Sequence, residues 1–338
     1  ILARSWDSTI ILAAKDPLSA MDMEAIISFC REYGFDLSYF PGISPDDVNL
    51  SNKLPEPLPY LGATTILSTR SEEFFDEYRF NVRPATDDNP FFGHFLKNEA
   101  LAELLRKRES GGLALVQRDY PILIMTAFQA LVAGLILIIL PLAAAAGIRK
   151  LDAIPPRQAA YFLMLGLSFL AIEIAFLNVF SLSLGHPLLG AALAVGIFLV
   201  FAGIGSRTSS LFCRSESTAR RMLPVATTCT AIFSLGGYLL IFSGADWLLT
   251  LSLPVRAVLL SAAVVPAALS MGMPFPLGIY LVGNYGGSGS VAWAWGINGW
   301  ASVLSAALAQ ISAVHFGFGW TVLAAAALYL TAGTALRP

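Results

Sequence analysis

Charged residues are scarce in this sequence, since Asp, Glu, Lys and Arg make up only 13% of its 338 residues. A soluble domain usually carries about a quarter charged residues, and here 56% of the residues are hydrophobic. These figures exclude an ordinary soluble protein and predict one that lies largely in a lipid bilayer. The formal net charge is −2. Without a basic stripe to neutralise phosphates, the sequence is not expected to bind nucleic acid.

Cysteine and histidine are also rare. The cysteines Cys30, Cys213 and Cys229 are far apart and form neither a CxxC motif nor a zinc-binding spacing. They are therefore predicted to be reduced packing residues. His186 and His315 have no third ligand near them in the sequence, so no metal site is predicted.

A glycine-rich turn is missing from residues 1–118. A doubly wound nucleotide-binding domain carries such a turn directly after its first strand. The only adjacent glycines in this region, Gly111 and Gly112, precede the first long apolar run instead. We therefore expect no nucleotide cofactor site in this chain. Because Ile1 is not a start methionine, we also expect a natural N-terminal part before it.

Residues 1–97 have the pattern of a partial α/β domain. The run STIILAAK (8–15) predicts a buried strand, and FDLSYF (35–40) predicts a second one. Between them, Ser19 is a predicted helix cap with Asp22 three residues later. An apolar stripe follows at helical spacing: Met23, Ile26, Ile27, Cys30 and Tyr33. A strand, a helix and a strand are typical of one unit of an α/β sheet, which is too small for a whole doubly wound domain.

Residues 120–338 form the predicted transmembrane helical domain. Its apolar stretches are each near the roughly 20 residues that a helix needs to cross a bilayer. Seven are present: 120–147, 158–184, 187–206, 222–242, 256–282, 291–313 and 317–336. The predicted fold class is mainly α, a polytopic helical membrane domain of about seven spans preceded by a partial α/β domain. The segment 98–119 is a predicted amphipathic junction, either at the membrane surface or as a solvated linker helix.

Basic residues in the connections favour one orientation without deciding it. The connections 148–157 and 206–221 lie on one side and hold seven basic residues. The positive-inside rule places that side in the cytoplasm and the soluble part outside. Four basic residues beside the first span, on the soluble side, favour the opposite orientation. They are Arg106, Lys107, Arg108 and Arg118.

Two groups of motifs resemble a known family. They are RSWDSTIILAAKDPL, FDLSYFPGI and PATDDNPFFGHF in the soluble part, and MGMPFPLGI and AWAWGINGWASVL in the membrane part. In this order they resemble the bacterial multi-pass membrane proteins with a spermidine-synthase-like, methyltransferase-fold domain beside their membrane helices. The resemblance implies the bacterial inner membrane, S-adenosylmethionine or its decarboxylated form as cofactor, and aminopropyl transfer to a polyamine. The missing glycine-rich turn departs from the family, so the catalytic core lies upstream of Ile1 or is absent.

Paired acids form the first candidate site. Asp87 and Asp88 lie near His94 in ATDDNPFF, and neighbouring carboxylates can act as a general base or hold an amine of a polyamine. The simpler interpretation is a turn in which Thr86 and Asp87 bond to nearby backbone amides before Pro90 breaks the chain. The simpler interpretation is favoured.

Glu173 is the second candidate, because it lies alone in the apolar run FLAIEIAFLNVF. An ionised acid at mid-bilayer costs a few kcal/mol, so such residues face protein or a water-filled cavity and often mark a functional path. Its predicted polar partners are Asn178, Asn298 and Gln310. Glu173 is expected either to bind a cation, a proton or a polyamine, or to be protonated and hydrogen-bonded across helices.

Pro274 and Pro276 predict a break in the helix that follows Ser270. Transporters use broken helices to line a substrate site, although a proline kink at the end of a span is commoner.

Three functions are compatible with these observations. The first is a membrane-anchored module or subunit that lacks a complete catalytic site and assembles with other membrane subunits. The second is a membrane-bound aminopropyltransferase whose nucleotide site lies upstream of Ile1. The third is a transporter for a small cation or a polyamine.

Overall fold

The computed structural model describes residues 1–95, Lys97, 119–149 and 154–336, apart from the side chains of 119, 146, 148, 149 and 285–288. The chain divides into two compact units, Ile1–Arg83 with Phe95–Arg106 and Pro84–His94 with Lys107–Pro338. We call them the N-terminal unit and the membrane unit. Pro84–His94 belongs to the membrane unit, although the predicted division kept it with domain 1–97. The predicted junction 98–119 falls outside the described residues, except for Asp119.

The N-terminal unit contains a small sheet in the order β2-β1-β3. β1 (Leu2–Arg4) pairs antiparallel with both β2 (Thr9–Ile11) and β3 (Asp36–Tyr39). A short hairpin connection at 5–8 makes the first pairing antiparallel. The predicted strands at 8–15 and 35–40 are confirmed, but each is shorter than predicted and β1 lies between them. The prediction that the first is buried is wrong, because β2 is an exposed edge strand among the described residues.

Helix α1 (Ala20–Glu32) begins at the predicted cap. The Asp22 amide N–H donates to the Ser19 hydroxyl at 3.2 Å, and the Ser19 amide N–H donates to the Asp22 carboxylate at 3.1 Å. This reciprocal capping box satisfies two of the donors that every helix start leaves open. The bonds from the Ser19 hydroxyl and amide lower the pKa of Asp22. Of the predicted stripe, Cys30 is buried, but Tyr33 is 61% exposed because it lies just beyond the helix.

Asp36 in β3 is the buried acid of the N-terminal unit. Its carboxylate accepts hydrogen bonds from the amides of Ser51 and Asn52 at 2.6 and 2.5 Å and from the Arg4 guanidinium at 3.2 Å. These bonds tie the segment after β3 to β1 and compensate for the burial of the charge. The unit also contains α2 (Leu58–Ile66) and α3 (Ser71–Glu77).

Long apolar helices make up the membrane unit. They are α4 (Asp119–Gly134), a π-helical turn (Leu135–Ile139), α5 (Leu140–Arg149), α6 (Pro156–Leu184), α7 (Pro187–Ser209), α8 (Glu216–Ser243), α9 (Ala245–Thr250), α10 (Leu253–Met271) and α11 (Pro274–Ala335). Among the described residues, six helical segments are long and apolar enough to cross a membrane. The chain is therefore a multi-pass membrane protein.

Helix α11 folds back on itself at Gly317. A straight helix of its 62 residues would be about 93 Å long, far more than a bilayer core of about 30 Å. The Thr321 hydroxyl nevertheless donates to the Ser312 hydroxyl at 2.9 Å, although nine residues of straight helix span about 13.5 Å. Gly317 has a φ of 87°, a conformation that favours glycine. The chain therefore reverses here. We call residues 289–316 the first arm of α11 and the residues after Gly317 the second arm, and the two correspond to the predicted spans 291–313 and 317–336.

The first arm of α11 runs beside α6. A Cβ atom on Gly166 would overlap the backbone oxygen of Asn298, so the two backbones approach closely. Seven residues further along the first arm, the Ser305 hydroxyl donates to the carbonyl of Leu167, the residue after Gly166, at 2.5 Å. Close approach through small residues is typical of membrane helices. These two contacts pack the first arm tightly against α6.

The predicted break near Pro274 and Pro276 is present. Helix α10 ends at Met271, and α11 begins at Pro274, since proline fits the first turn of a helix but not its interior. The buried Tyr161 hydroxyl donates to the Pro274 carbonyl at 2.6 Å. The break thus lies inside the predicted span 256–282, and α6 holds it in place.

Candidate functional site

The segment Pro84–His94, which we call the docking loop, starts with a tight turn. The amides of Thr86 and Asn89 each donate to the other residue's carbonyl, at 3.1 and 3.0 Å. The Asn89 amide is also 3.1 Å from the Thr86 hydroxyl oxygen, to which it donates. The predicted turn is therefore confirmed for Thr86, while the Asp87 side chain is exposed.

Asp88 fastens the docking loop to the ends of the membrane helices. Its carboxylate oxygen Oδ1 accepts hydrogen bonds from the Tyr238 hydroxyl at 2.5 Å and from the Gly319 amide at 2.6 Å. Its backbone carbonyl accepts from the Phe318 amide at 2.9 Å. A Cβ atom on Gly317 would overlap the second carboxylate oxygen. Asp88 thus accepts hydrogen bonds from residues at the α11 reversal and from α8. Its carboxylate binds these donors and does not form the predicted pair with Asp87.

Two further contacts extend this attachment. The side-chain amide of Asn89 donates to the Val314 carbonyl at 3.1 Å. The rings of Phe91 and Phe318 pack with centroids 5.7 Å apart. The docking loop therefore contacts the end of the first arm of α11 and the start of the second.

Next to this attachment lies a cluster of two histidines and a tyrosine. The Tyr120 hydroxyl and the His315 Nε2 atom share a hydrogen bond of 2.6 Å, in which either atom can be the donor. The His94 ring packs against Tyr120 at 4.8 Å and against His315 at 5.6 Å between centroids. Burial, and then the charge of His315, lower the pKa of His94. Tyr120 and His315 are 195 positions apart in the sequence, and no sequence pattern indicated their contact.

A cavity of about 430 Å³ opens beside His94 and Tyr120. The docking loop, the start of α4 and the end of the first α11 arm form its walls. Its lining residues are Pro90, Phe91, Phe92, Gly93, His94, Tyr120, Leu123, Gln310 and Val314. The cavity has the usual composition of a small-molecule site, mostly apolar with a few polar groups. It includes two of the sequence-predicted site residues, His94 and Gln310.

Glu173 is half-buried in α6 and makes no hydrogen bond or ion pair within the part of the chain that the structure describes. The predicted bonds to Asn178, Asn298 and Gln310 are absent there. Asn178 instead donates to the Ile174 carbonyl of its own helix at 2.9 Å. The Asn298 carbonyl accepts from Ser302 at 2.9 Å. These four residues do not form one polar site.

Comparison with known proteins found no match, since no family model, curated protein or solved structure matches this chain. Among the described residues, no group of three or more His, Cys, Asp or Glu side chains is placed to hold a metal ion.

Proposed function

We propose that this chain is the membrane module of a spermidine-synthase-like protein of the bacterial inner membrane, and that residues 1–338 perform no transfer chemistry by themselves. In this proposal, the membrane unit presents the docking loop to a catalytic partner, which is an upstream part of the same protein or another subunit. The observation that carries it is the attachment of Asp88 to Tyr238 and Gly319.

The attachment of Asp88 supports this function because it connects a soluble-part motif with the membrane part, and both parts carry motifs that resemble the spermidine-synthase-like family. PATDDNPFFGHF is the last soluble motif, yet its acid Asp88 bonds to the membrane helices. A flexible linker would not need a carboxylate that accepts two hydrogen bonds, as Asp88 does. It would also not need Gly317, whose φ of 87° makes room beside that carboxylate. The described strands of the N-terminal unit also lack the parallel arrangement in which a nucleotide is usually held.

Seven crossings are part of the proposal. The reversal at Gly317 lets each arm of α11 cross separately, which adds one crossing to the six apolar helical segments found among the described residues. Three of these crossings, Tyr120–Ala145, Pro156–Leu184 and Pro187–Ser209, separate the docking loop from the basic connection 206–221, so the two lie on opposite sides. The proposed orientation places that connection in the cytoplasm.

Transfer activity tests this function. Purified residues 1–338 are incubated with putrescine and decarboxylated S-adenosylmethionine, and spermidine is measured by mass spectrometry. We expect no product above a protein-free control, while a soluble spermidine synthase serves as the positive control. Product formation by the chain alone would overturn the proposal. Recovery of activity with a longer form extracted from the native membrane would favour an aminopropyltransferase with its site upstream.

Glu173 favours a second candidate function, the transport of a small cation or a polyamine. It is an acid within a membrane-spanning helix, half-buried and without a hydrogen bond to any described residue. An intramembrane acid in such a position commonly marks an ion path. A carboxylate without a hydrogen bond to a described residue is better suited to binding a cation than to holding helices together.

Spermidine uptake into proteoliposomes tests this second candidate. Glu173→Gln keeps the size of the side chain and removes its charge, and we expect uptake to fall by more than tenfold. Asn178→Ala is the matched control, since it changes a polar residue of the same helix whose bond is local. Equal uptake by the wild type and Glu173→Gln would reject transport and leave Glu173 a structural role.

A further inference from the structure

The cavity beside His94 lies at one end of the membrane unit. Tyr120 and Leu123 are in the first turns of α4, and Gln310 and Val314 are in the last turns before the α11 reversal. Helix ends in a multi-pass protein lie near the membrane–water interface, because the spans between them fill the bilayer core. The cavity is thus placed where molecules dissolved in the outer part of the bilayer can reach it.

Apolar side chains next to the cavity face the lipid. Ile122, Met125 and Phe128 on α4 are 57%, 69% and 66% exposed. The exposed surface of an apolar membrane helix contacts lipid, since no water is available in the core. Phe92, which lines the cavity, is 82% exposed. A ligand in the bilayer can therefore reach the cavity over these four apolar side chains.

The polar groups of the cavity do not match a charged ligand. Among the residues that the structure describes, the nine that line the cavity include no acid, lysine or arginine. The nearby carboxylate of Asp88 accepts two hydrogen bonds from the membrane helices, and Asp88 is not among the described residues that line the cavity. Because burial lowers the pKa of His94, its imidazole is mainly neutral at pH 7 and gives an anion no charged partner.

The same groups suit an uncharged molecule that carries oxygen acceptors. The Gln310 amide can supply an N–H donor. The Tyr120 hydroxyl can supply an O–H donor when the His315 Nε2–H donates their shared hydrogen bond. Phe91, Phe92 and the ring of Tyr120 offer aromatic surface for a flat ring. The volume of about 430 Å³ falls in the range of small-molecule sites, roughly 300–1,000 Å³.

From this combination we infer that the cavity binds the head group of a lipid-soluble quinone or a closely similar uncharged ring with carbonyl oxygens. Gln310 and Tyr120 hydrogen-bond to the carbonyls, and Phe91, Phe92 and Val314 contact the ring. His315 positions the Tyr120 hydroxyl through their shared bond of 2.6 Å. The inference is independent of whether residues 1–338 bind S-adenosylmethionine.

Binding of a decyl-substituted dimethoxy-methyl-benzoquinone tests the inference. The purified protein is placed in phosphatidylcholine nanodiscs, and saturable binding is measured above the partitioning into empty nanodiscs. Gln310→Leu removes one hydrogen bond and should weaken binding by roughly fivefold to tenfold. Val314→Trp fills the cavity and should abolish it. Gln158→Leu is the matched control, because it makes the same exchange in the first turn of α6, away from the cavity, and should leave binding unchanged.

Competition identifies the ligand class. We expect an excess of spermidine or inorganic phosphate to leave quinone binding unchanged. The inference is overturned if the wild type shows no saturable binding, if Gln310→Leu and Gln158→Leu bind equally well, or if spermidine or phosphate displaces the quinone. If Val314→Trp does not fold, the comparison of the two glutamine variants and the competition still decide the outcome.

Discussion

The Tyr238 hydroxyl donates a hydrogen bond of 2.5 Å to the Asp88 carboxylate across 150 positions of sequence. Tyr238 is buried within α8, and Asp88 belongs to the docking loop. Because the Asp88 carboxylate is a charged acceptor, this hydrogen bond belongs to a class that is about twice as strong as hydrogen bonds between neutral groups. This bond and the Gly319 amide fix the end of the membrane unit where the cavity lies.

Asp88→Ala should detach the docking loop. The Tyr238 hydroxyl and the Gly319 amide lose their acceptor, and hydrogen bonds to a charged group are worth about 1.5–3 kcal/mol each. We expect much faster hydrogen exchange in the docking loop and at residues 315–319, measured by mass spectrometry. Asp87→Ala is the control and should leave exchange unchanged, because Asp87 is exposed. Equal effects of the two substitutions would contradict the role of Asp88.

Gly317→Ala should destabilise the α11 reversal. Its φ of 87° is unfavourable for alanine, and the new Cβ atom would overlap the Asp88 carboxylate. We expect a loss of about 1–3 kcal/mol, seen as a lower thermal unfolding temperature in detergent. Gly299→Ala is the matched control in the first arm, where a Cβ atom meets open space. It should be neutral or slightly stabilising because alanine favours helix, and a loss as large as that of Gly317→Ala would count against the reversal.

Attachment of the docking loop should weaken in mild acid. Burial and the charge of His315 lower the pKa of His94 from its ordinary value of 6.5. When the loop is detached, His94 takes up a proton as the pH falls through about 6.5, whereas in the attached loop it does so only at a lower pH. The free energy of attachment therefore decreases between about pH 6.5 and the lowered pKa of the attached state. Above about pH 6.5, His94 is neutral in both states, so the free energy of attachment should not depend on pH through His94.

Hydrogen exchange of the docking loop at several pH values, compared between variants at each pH, measures this effect. His94→Gln should remove the acid-dependent increase in exchange. His186→Gln should retain it, because His186 is exposed and lies outside the cluster. An unchanged pH profile in His94→Gln would show that another group is responsible.

Local features of the fold were predictable from the sequence. The cap formed by Ser19 and Asp22 depends on residues three positions apart, and its signal lies within one turn of helix. The apolar stretches of the membrane unit were equally clear, since a bilayer requires about 20 apolar residues for each helical span. The break at Pro274 followed from the geometry of proline alone.

The candidate site was not predictable, because its contacts depend on how distant elements pack. Asp88 and Gly319 are 231 positions apart, and the acid pattern around Asp88 suggested a pair with Asp87 instead. The predicted partners of Glu173 were chosen by residue type, but the rotation of each helix about its axis decides which side chains meet. His315 looked isolated in the sequence, although the packing of α4 beside the first arm of α11 brings it to Tyr120.

Cysteine labelling should establish the orientation of the membrane unit. Arg214→Cys lies in the basic connection before α8, and Trp247→Cys lies in α9 directly after it. Both positions are exposed. In intact cells, an impermeant maleimide should label Trp247→Cys and not Arg214→Cys, which becomes reactive only after the membrane is opened. The reverse pattern would place the basic connection outside and reject the proposed orientation.

Equilibrium binding of S-adenosylmethionine decides whether residues 1–338 hold the cofactor by themselves. Purified residues 1–338 are dialysed in detergent against the labelled cofactor and, separately, against its decarboxylated form, with a soluble spermidine synthase as positive control. We expect no saturable binding of either molecule, because the sequence has no glycine-rich turn after a predicted strand in residues 1–118. Saturable, tight binding of either molecule to this chain alone would contradict it.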